Sequence, residues 1–220
     1  MRRSQEGLLV PATRRGLLIG STKLAAGGAL AFAVAGGPAA RGLRSARAQD
    51  PVSSFTDDLD VFNYALTLEH LENAFYRDGL AEFDEAAFED GGFDAQVREY
   101  FELIGQHEQD HVDAITAAIE DAGGTPVEEQ TYDFGYEDVE GFVGVAQALE
   151  TTGTQAYTGA APFISDPNLL TAALTIHGVE ARHAAYLNVV TGVDVPFPEA
   201  LEPGLSRDEV LAIAGPFIVA

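Results

Sequence analysis

The chain predicts an all-α protein: a four-helix bundle with a long crossover between its second and third helices, preceded by a cleavable signal peptide. Three observations carry this reading. Four long segments place apolar residues alternately three and four positions apart, the spacing of a stripe buried between packed helices. Each stripe is broken near its middle by a glutamate, twice as Glu-x-x-His, and a buried carboxylate is costly unless a partner or a metal offsets it. Pro and Gly-Gly fall at the ends of these segments, where helices start and stop.

Composition narrows the class. With 220 residues and 46% hydrophobic content the chain can build one domain with a real core. It has no Cys, which excludes disulfides and thiolate metal sites. Its formal charge of −23 understates the acidity of the folded part. Of its acidic residues only Glu6 precedes Gln49, whereas Arg77, Arg98, Arg182 and Arg207 are the only basic residues beyond it. Such a surface repels nucleic acid and anionic membranes and suits a solvated protein in salt, or one that attracts cations.

The first 48 residues read as a leader. Thr13-Arg14-Arg15-Gly16-Leu17-Leu18 resembles a twin-arginine export signal, with Ile19 where that pattern often has Lys. An apolar, Gly- and Ala-rich run extends to Ala40, and Ala46-Arg47-Ala48 forms a small-residue exit. The competing reading is an uncleaved anchor, but Lys23 and five Gly between Gly20 and Gly37 make a poor spanning helix. The expected division is a signal peptide over 1–48, a linker over 49–53, the bundle over 54–192 and a C-terminal extension packing on it over 193–220. The mature protein is expected to be periplasmic, in the cell envelope or extracellular, without stable membrane insertion.

The first helix spans about Ser54 to Tyr76, with Ser54 or Thr56 as cap. Its seam is Phe55, Leu59, Phe62, Leu66, Glu69, Asn73 and Tyr76. An acidic, Gly-rich connector follows from Asp78 to Phe93, with one or two helical turns over Asp84–Asp90. The second helix runs from Asp94 to Asp121 and stops at Gly123-Gly124; its seam carries Val97, Phe101, Ile104, Glu108, His111, Ile115 and Ala118. In the loop after it, Thr131-Tyr132-Asp133-Phe134 could be extended and pack over the bundle. The third helix covers Glu137 to Ala160, with Val143, Ala146, Glu150, Gly153, Tyr157 and Ala160 inward. The fourth starts at Pro167 and turns Leu169, Ala173, Ile176, Glu180, His183, Leu187 and Val190 inward. Ser206-Arg207-Asp208-Glu209 opens a short helix that ends before Pro216.

Taken together, the interruptions read Glu69, then Glu108 and His111, then Glu150, then Glu180 and His183. One Glu plus one Glu-x-x-His from each half is how di-iron and di-manganese carboxylate centres are built in four-helix bundles. Charge agrees, since four carboxylates balance two divalent cations while neutral imidazoles add donors without charge. Oxygen and imidazole donors without sulfur favour Fe or Mn over Cu(I) or a structural zinc. The halves repeat further: Leu68-Glu69 is followed by Tyr76 as Leu149-Glu150 is by Tyr157. Tyr76 and Tyr157 are therefore candidates to bond and orient ligand carboxylates, or plain core residues. Glu72, one turn beyond Glu69, and His177, one turn before Glu180, are further candidates beside the ligands, but their mates in the other half are Gly153 and Gly105. His70 and His107 point beside the seam and are expected on the surface, with Gln109 and Asp110.

Ala65-Leu66-Thr67-Leu68-Glu69-His70-Leu71-Glu72-Asn73-Ala74-Phe75-Tyr76, Gly159-Ala160-Ala161-Pro162 and Val179-Glu180-Ala181-Arg182-His183-Ala184-Ala185-Tyr186 resemble the ferritin-like family that includes plant desiccation-related proteins and exported bacterial and archaeal members. The resemblance extends from Ser53 to Ile218, including Pro196-Phe197-Pro198 and Pro216-Phe217-Ile218. It implies a ferritin-like bundle, the six-residue di-metal set, and isolated bundles rather than storage cages; it implies no settled activity. Two functional classes follow. One is an exported protein holding two Fe or Mn ions that reacts with dioxygen or peroxide, as a ferroxidase- or catalase-like oxidoreductase in stress protection. Few oxidisable side chains fit that chemistry, since the chain lacks Cys and Trp and Met1 is its one Met. The other is a non-catalytic envelope or desiccation-stress protein whose metal site is structural or vestigial. Metal ions and the oxidant are the expected partners, nucleic acid is not, and a homodimer is compatible with the pattern.

Overall fold

A computed structural model describes residues 55–219. The expected leader over 1–48, the linker and Ser54 lie outside the described residues. Four long helices are present: α1 (Asp58–Glu82), α3 (Ala95–Asp121), α4 (Val139–Ala160) and α5 (Pro167–Val190), with a short α2 (Glu85–Asp90) between the first two and α6 (Arg207–Ala214) near the end. Among the described residues no helix is long and apolar enough to cross a membrane.

Helix starts follow local chemistry. Asp57, Asp84, Asp138 and Asp166 each cap a helix by accepting from a backbone N–H two or three residues on. At α1 this corrects the expected cap: Asp57 takes the role, while the Thr56 N–H donates to Asp60 Oδ2 at 3.0 Å. Asp94 stands at the start of α3 as expected but makes no side-chain cap bond. Pro167 occupies the first turn of α5, and Ser206 and Glu209 close a reciprocal capping box on α6. Gly123, at φ 79°, turns the chain out of α3.

α1 also runs further than its seam predicts, through Gly79 to Glu82. The reason is tertiary. Gly79 is covered by the Phe142 ring, which a Cβ there would meet at 2.1 Å. Phe142 in turn packs with Phe75, Phe83, Phe88 and Phe101. That aromatic cluster holds the last turn of α1 against α2, α3 and α4.

Cross-helix contacts fix the directions. Along α1 and α3, Glu69 meets His111, Asn73 meets Gln109 and Tyr76 meets Phe101, so the two are antiparallel. Along α4 and α5, Gln147 meets Asn188 and Glu150 meets His183, again antiparallel. The pairs join antiparallel across α1–α4, through Tyr76–Glu150 and Tyr157–Glu69, and across α3–α5, through His111–Glu180 and Tyr100–Tyr186. α3 and α4 therefore point the same way, so the crossover must travel back along a 27-residue helix, about 40 Å at 1.5 Å per residue.

That crossover lies along α1. Val127 N–H donates to Asn63 Oδ1 at 2.8 Å, its carbonyl lies 3.2 Å from His70 Nε2, and Arg77 pairs with Glu129 at 3.0 Å. His70 is thus half-buried rather than on the open surface. Thr131–Tyr132 is extended, as the sequence allows, and pairs antiparallel with Ile218–Val219, a partner the sequence does not announce. The C-terminal part returns over α4, where Leu205 N–H donates to the Gln155 carbonyl at 3.1 Å. Arg207 clasps Asp60 at 2.9 Å and lies over the Phe55 and Tyr64 rings.

Candidate metal centre

The four seams meet at mid-height, where polar side chains replace apolar ones. Glu69 lies on α1, Glu108 and His111 on α3, Glu150 on α4, Glu180 and His183 on α5. All four glutamates are at most 1% exposed, and both histidines are buried. They converge. Glu69, Glu108, His111 and Glu180 bring one donor atom each within 4.8 Å of one another, and so do Glu108, Glu150, Glu180 and His183. Glu108 and Glu180 belong to both groups, whereas Glu69 and Glu150 each serve one.

The contacts do not resemble a hydrogen-bond network. Nδ1 of His111 lies 3.2 Å from Glu69 Oε2, 3.1 Å from Glu108 Oε2 and 3.0 Å from Glu180 Oε1. A single ring nitrogen carries at most one hydrogen, so it cannot satisfy three oxygens. Nδ1 of His183 faces Glu108 Oε1 and Glu150 Oε2, both at 3.1 Å. Despite these short distances, Glu108 Oε1 and Glu180 Oε1 have no partner in hydrogen-bonding geometry, and Glu180 Oε2 is likewise buried without one. Unpaired oxygens around two inward imidazoles are compatible with a cation site, and oxygen and imidazole donors are of the type that Fe or Mn accepts.

Electrostatics record the same crowding. Burial and the neighbouring Glu150 push the Glu108 carboxyl up to about 7. Burial and then Glu108 hold Glu180 well above the usual carboxylate range. Burial lowers the imidazoles, but the carboxylates outweigh it: His183 is raised to about 9 by Glu108 and Glu150, and His111 is raised by Glu108, Glu180 and Glu69. Without a cation, Glu108, Glu180 and the two imidazoles retain protons that they would shed in water.

Two tyrosines brace the set crosswise. Tyr76 Oη on α1 donates to Glu150 Oε1 at 2.6 Å, and Tyr157 Oη on α4 donates to Glu69 Oε1. Each hydroxyl thus reaches across to a glutamate of the other half. Glu72 is buried at 3% exposure and faces the same glutamates. His177 does not join them: its Nε2 lies 3.0 Å from Thr158 Oγ1.

His107, like His70, departs from its expected place. His107 is half-buried, not exposed, and its Nδ1 lies 2.9 Å from His183 Nε2, the ring nitrogen that faces away from the carboxylates. Its spacing puts it beside the seam of α3, and only the crossing of α5 over α3 brings it to His183. Gln109 and Asp110 are exposed, as expected.

Comparison with known proteins agrees with this architecture. Residues 57–193 match the family model described as a ferritin-like domain. The chain is also 27% identical over 171 residues to protein rds1 of Schizosaccharomyces pombe, an alignment covering 77% of this chain and 40% of that protein. The chain thus spans about two-fifths of the length of that relative.

Proposed function

This chain belongs to the ferritin-like domain family, and from that premise we propose that it is a di-metal carboxylate protein that holds two Fe or Mn ions and reacts with dioxygen or peroxide. The observation that carries the proposal is the pair of four-donor groups sharing Glu108 and Glu180. Glu69 and His111 would serve one ion, Glu150 and His183 the other, and the shared glutamates both. When bound, such ions supply the electrons and the positive charge that oxidant binding and reduction need.

The chain's own residues do the rest. The tyrosines hold Glu69 and Glu150 in place, so these carboxylates need not reorganise to serve as ligands. His107 Nδ1 is placed to accept a hydrogen from His183 Nε2, and in that tautomer the lone pair of His183 Nδ1 faces Glu150 and Glu108. Apolar layers above and below, such as Leu66, Ile104, Ile115, Ala146 and Ile176, keep bulk water from the centre. The Arg14-Arg15 motif and the run behind it support export.

The test is direct. Natively purified mature protein is expected to carry Fe or Mn by mass spectrometry, and to oxidise Fe(II) or consume peroxide. Absence of metal, together with melting unchanged in Glu108→Ala and Glu180→Ala, overturns the proposal. Bound metal without turnover, with a large loss of melting temperature in those variants, assigns the metal a structural role instead.

A further inference from the structure

Five buried glutamates, not four, occupy the middle of the bundle: Glu69, Glu72, Glu108, Glu150 and Glu180. The fifth, Glu72, lies one turn beyond Glu69 on α1. The charged groups that face it are Glu180, Glu150, Glu69 and Glu108, all of its own sign. No arginine, histidine or amide among the described residues bonds its carboxylate. A buried carboxylate in such company is costly, and a Gln or Leu of similar size would remove the cost.

The opposite wall is shaped to admit it. Gly153 on α4 is the counterpart of Glu72 in the other half. A Cβ at Gly153 would lie 3.0 Å from Glu72 Oε1 and 3.3 Å from Glu180 Oε2. The carboxylate of Glu72 therefore fills the place that a side chain at 153 would take, close to the shared Glu180. Glu180 Oε2, the oxygen beside Gly153, lacks a hydrogen-bond partner. Glu72 and Gly153 come from α1 and α4, whereas both imidazoles come from α3 and α5. Glu72 thus stands on the side of the centre away from the histidines.

We propose that Glu72 is a further carboxylate ligand of the metal centre, admitted by Gly153, and that it makes the two halves of the centre unequal. The proposal rests on the di-metal reading above. It extends the donor set to five carboxylates and two imidazoles, an oxygen-rich set suited to hard cations. Five carboxylates also carry one negative charge more than two divalent cations neutralise, which favours tight cation retention.

Mn(II) titrated calorimetrically into metal-free protein tests this. Glu72→Gln keeps the shape and removes the negative charge and one carboxylate oxygen, leaving only a weaker amide oxygen. It is expected to weaken Mn(II) binding by about tenfold or more, to shrink the rise in melting temperature caused by Mn(II), and to leave the melting temperature of the metal-free protein unchanged or higher. Mn(II) affinity unaltered in Glu72→Gln, with binding intact in the wild-type chain, overturns the proposal and spares the di-metal reading. A lower melting temperature of the metal-free variant with unaltered affinity assigns Glu72 a packing role and overturns it too. No Mn(II) or Fe(II) binding by the wild-type chain sinks both. Should Glu72→Gln not fold, Glu72→Asp decides: it keeps the charge but withdraws the carboxyl by one methylene, so weakened Mn(II) binding supports the proposal and unchanged binding overturns it.

Discussion

The two halves of the bundle, α1 with α3 and α4 with α5, are alike at the inward Glu and His positions and different beside them. Glu69 corresponds to Glu150, Tyr76 to Tyr157, Glu108 to Glu180 and His111 to His183. Each tyrosine braces the glutamate of the other half, so neither half is complete alone. Around this frame the symmetry fails. Glu72 faces Gly153; His107, bonded to His183, has Val179 as its counterpart; His177, bonded to Thr158, has Gly105. The packing differs as well. Phe101 stands where the other half has Ala173, and Gly79, under the Phe142 ring, where it has Ala160. The difference teaches that the donor geometry demands equivalence only from the atoms that enclose the centre, while flanking positions are free to make one half chemically distinct.

The largest expected effect separates shared from unshared ligands. Glu108→Ala or Glu180→Ala is expected to strip metal from both halves, because each residue belongs to both donor groups. Glu69→Ala or Glu150→Ala is expected to lose the metal of its own half and keep that of the other. Metal analysis of the four purified variants checks this, and equal losses in all four would break the distinction.

Metal removal comes next, with a pH dependence whose sign is fixed. In the metal-free protein Glu108 is raised from 4.5 to about 7 and His183 from 6.5 to about 9. The folded state then holds protons that the unfolded chain has released, so stability falls as pH rises through both windows. Melting temperature in the presence of a chelator is expected to decline from pH 5 to pH 9. It is measured in high salt to screen the acidic surface, which has a Debye length of about 3 Å at 1 M. With Mn(II) in excess the decline is expected to weaken or reverse, because ligands that shed their protons bind metal more tightly.

Smaller changes probe the asymmetry. Gly79→Ala would make the first half resemble the second at this position, but it drives a methyl into the Phe142 ring. It is expected to cost about 1–3 kcal/mol in denaturant unfolding without changing metal content. Tyr76→Phe and Tyr157→Phe are each expected to weaken metal binding about tenfold, in similar measure, by calorimetric titration. A strong effect from only one would show that the braces are unequal. His177→Ala, which removes a bond to Thr158 alone, is expected to change stability by no more than about 1 kcal/mol and metal content not at all.

Much of this is legible in the sequence. The six inward Glu and His were visible because each breaks a seam of three-and-four spacing, and a break is informative only where the rest of the stripe is apolar. The paired tyrosines were visible as a repeat, though not their crosswise bonds. His107 was not legible, because its neighbour is fixed by how α5 crosses α3 rather than by its place along α3. The end of α1 is illegible for a similar reason: the stretch from Asp78 reads as a Gly-rich connector, and only the Phe142 ring packed over Gly79 accounts for its being helix.

The sequence by itself determined the helices, their inward faces and which Glu and His those faces carry, since these depend on local periodicity, capping and the cost of burying charge. Only the tertiary structure decided which donors are shared, which tyrosine braces which glutamate, that His107 reaches His183, and that Glu72 lies in the space opened by Gly153. Those facts depend on the distance and register between helices, which arise when four surfaces pack together and are written along none of them singly.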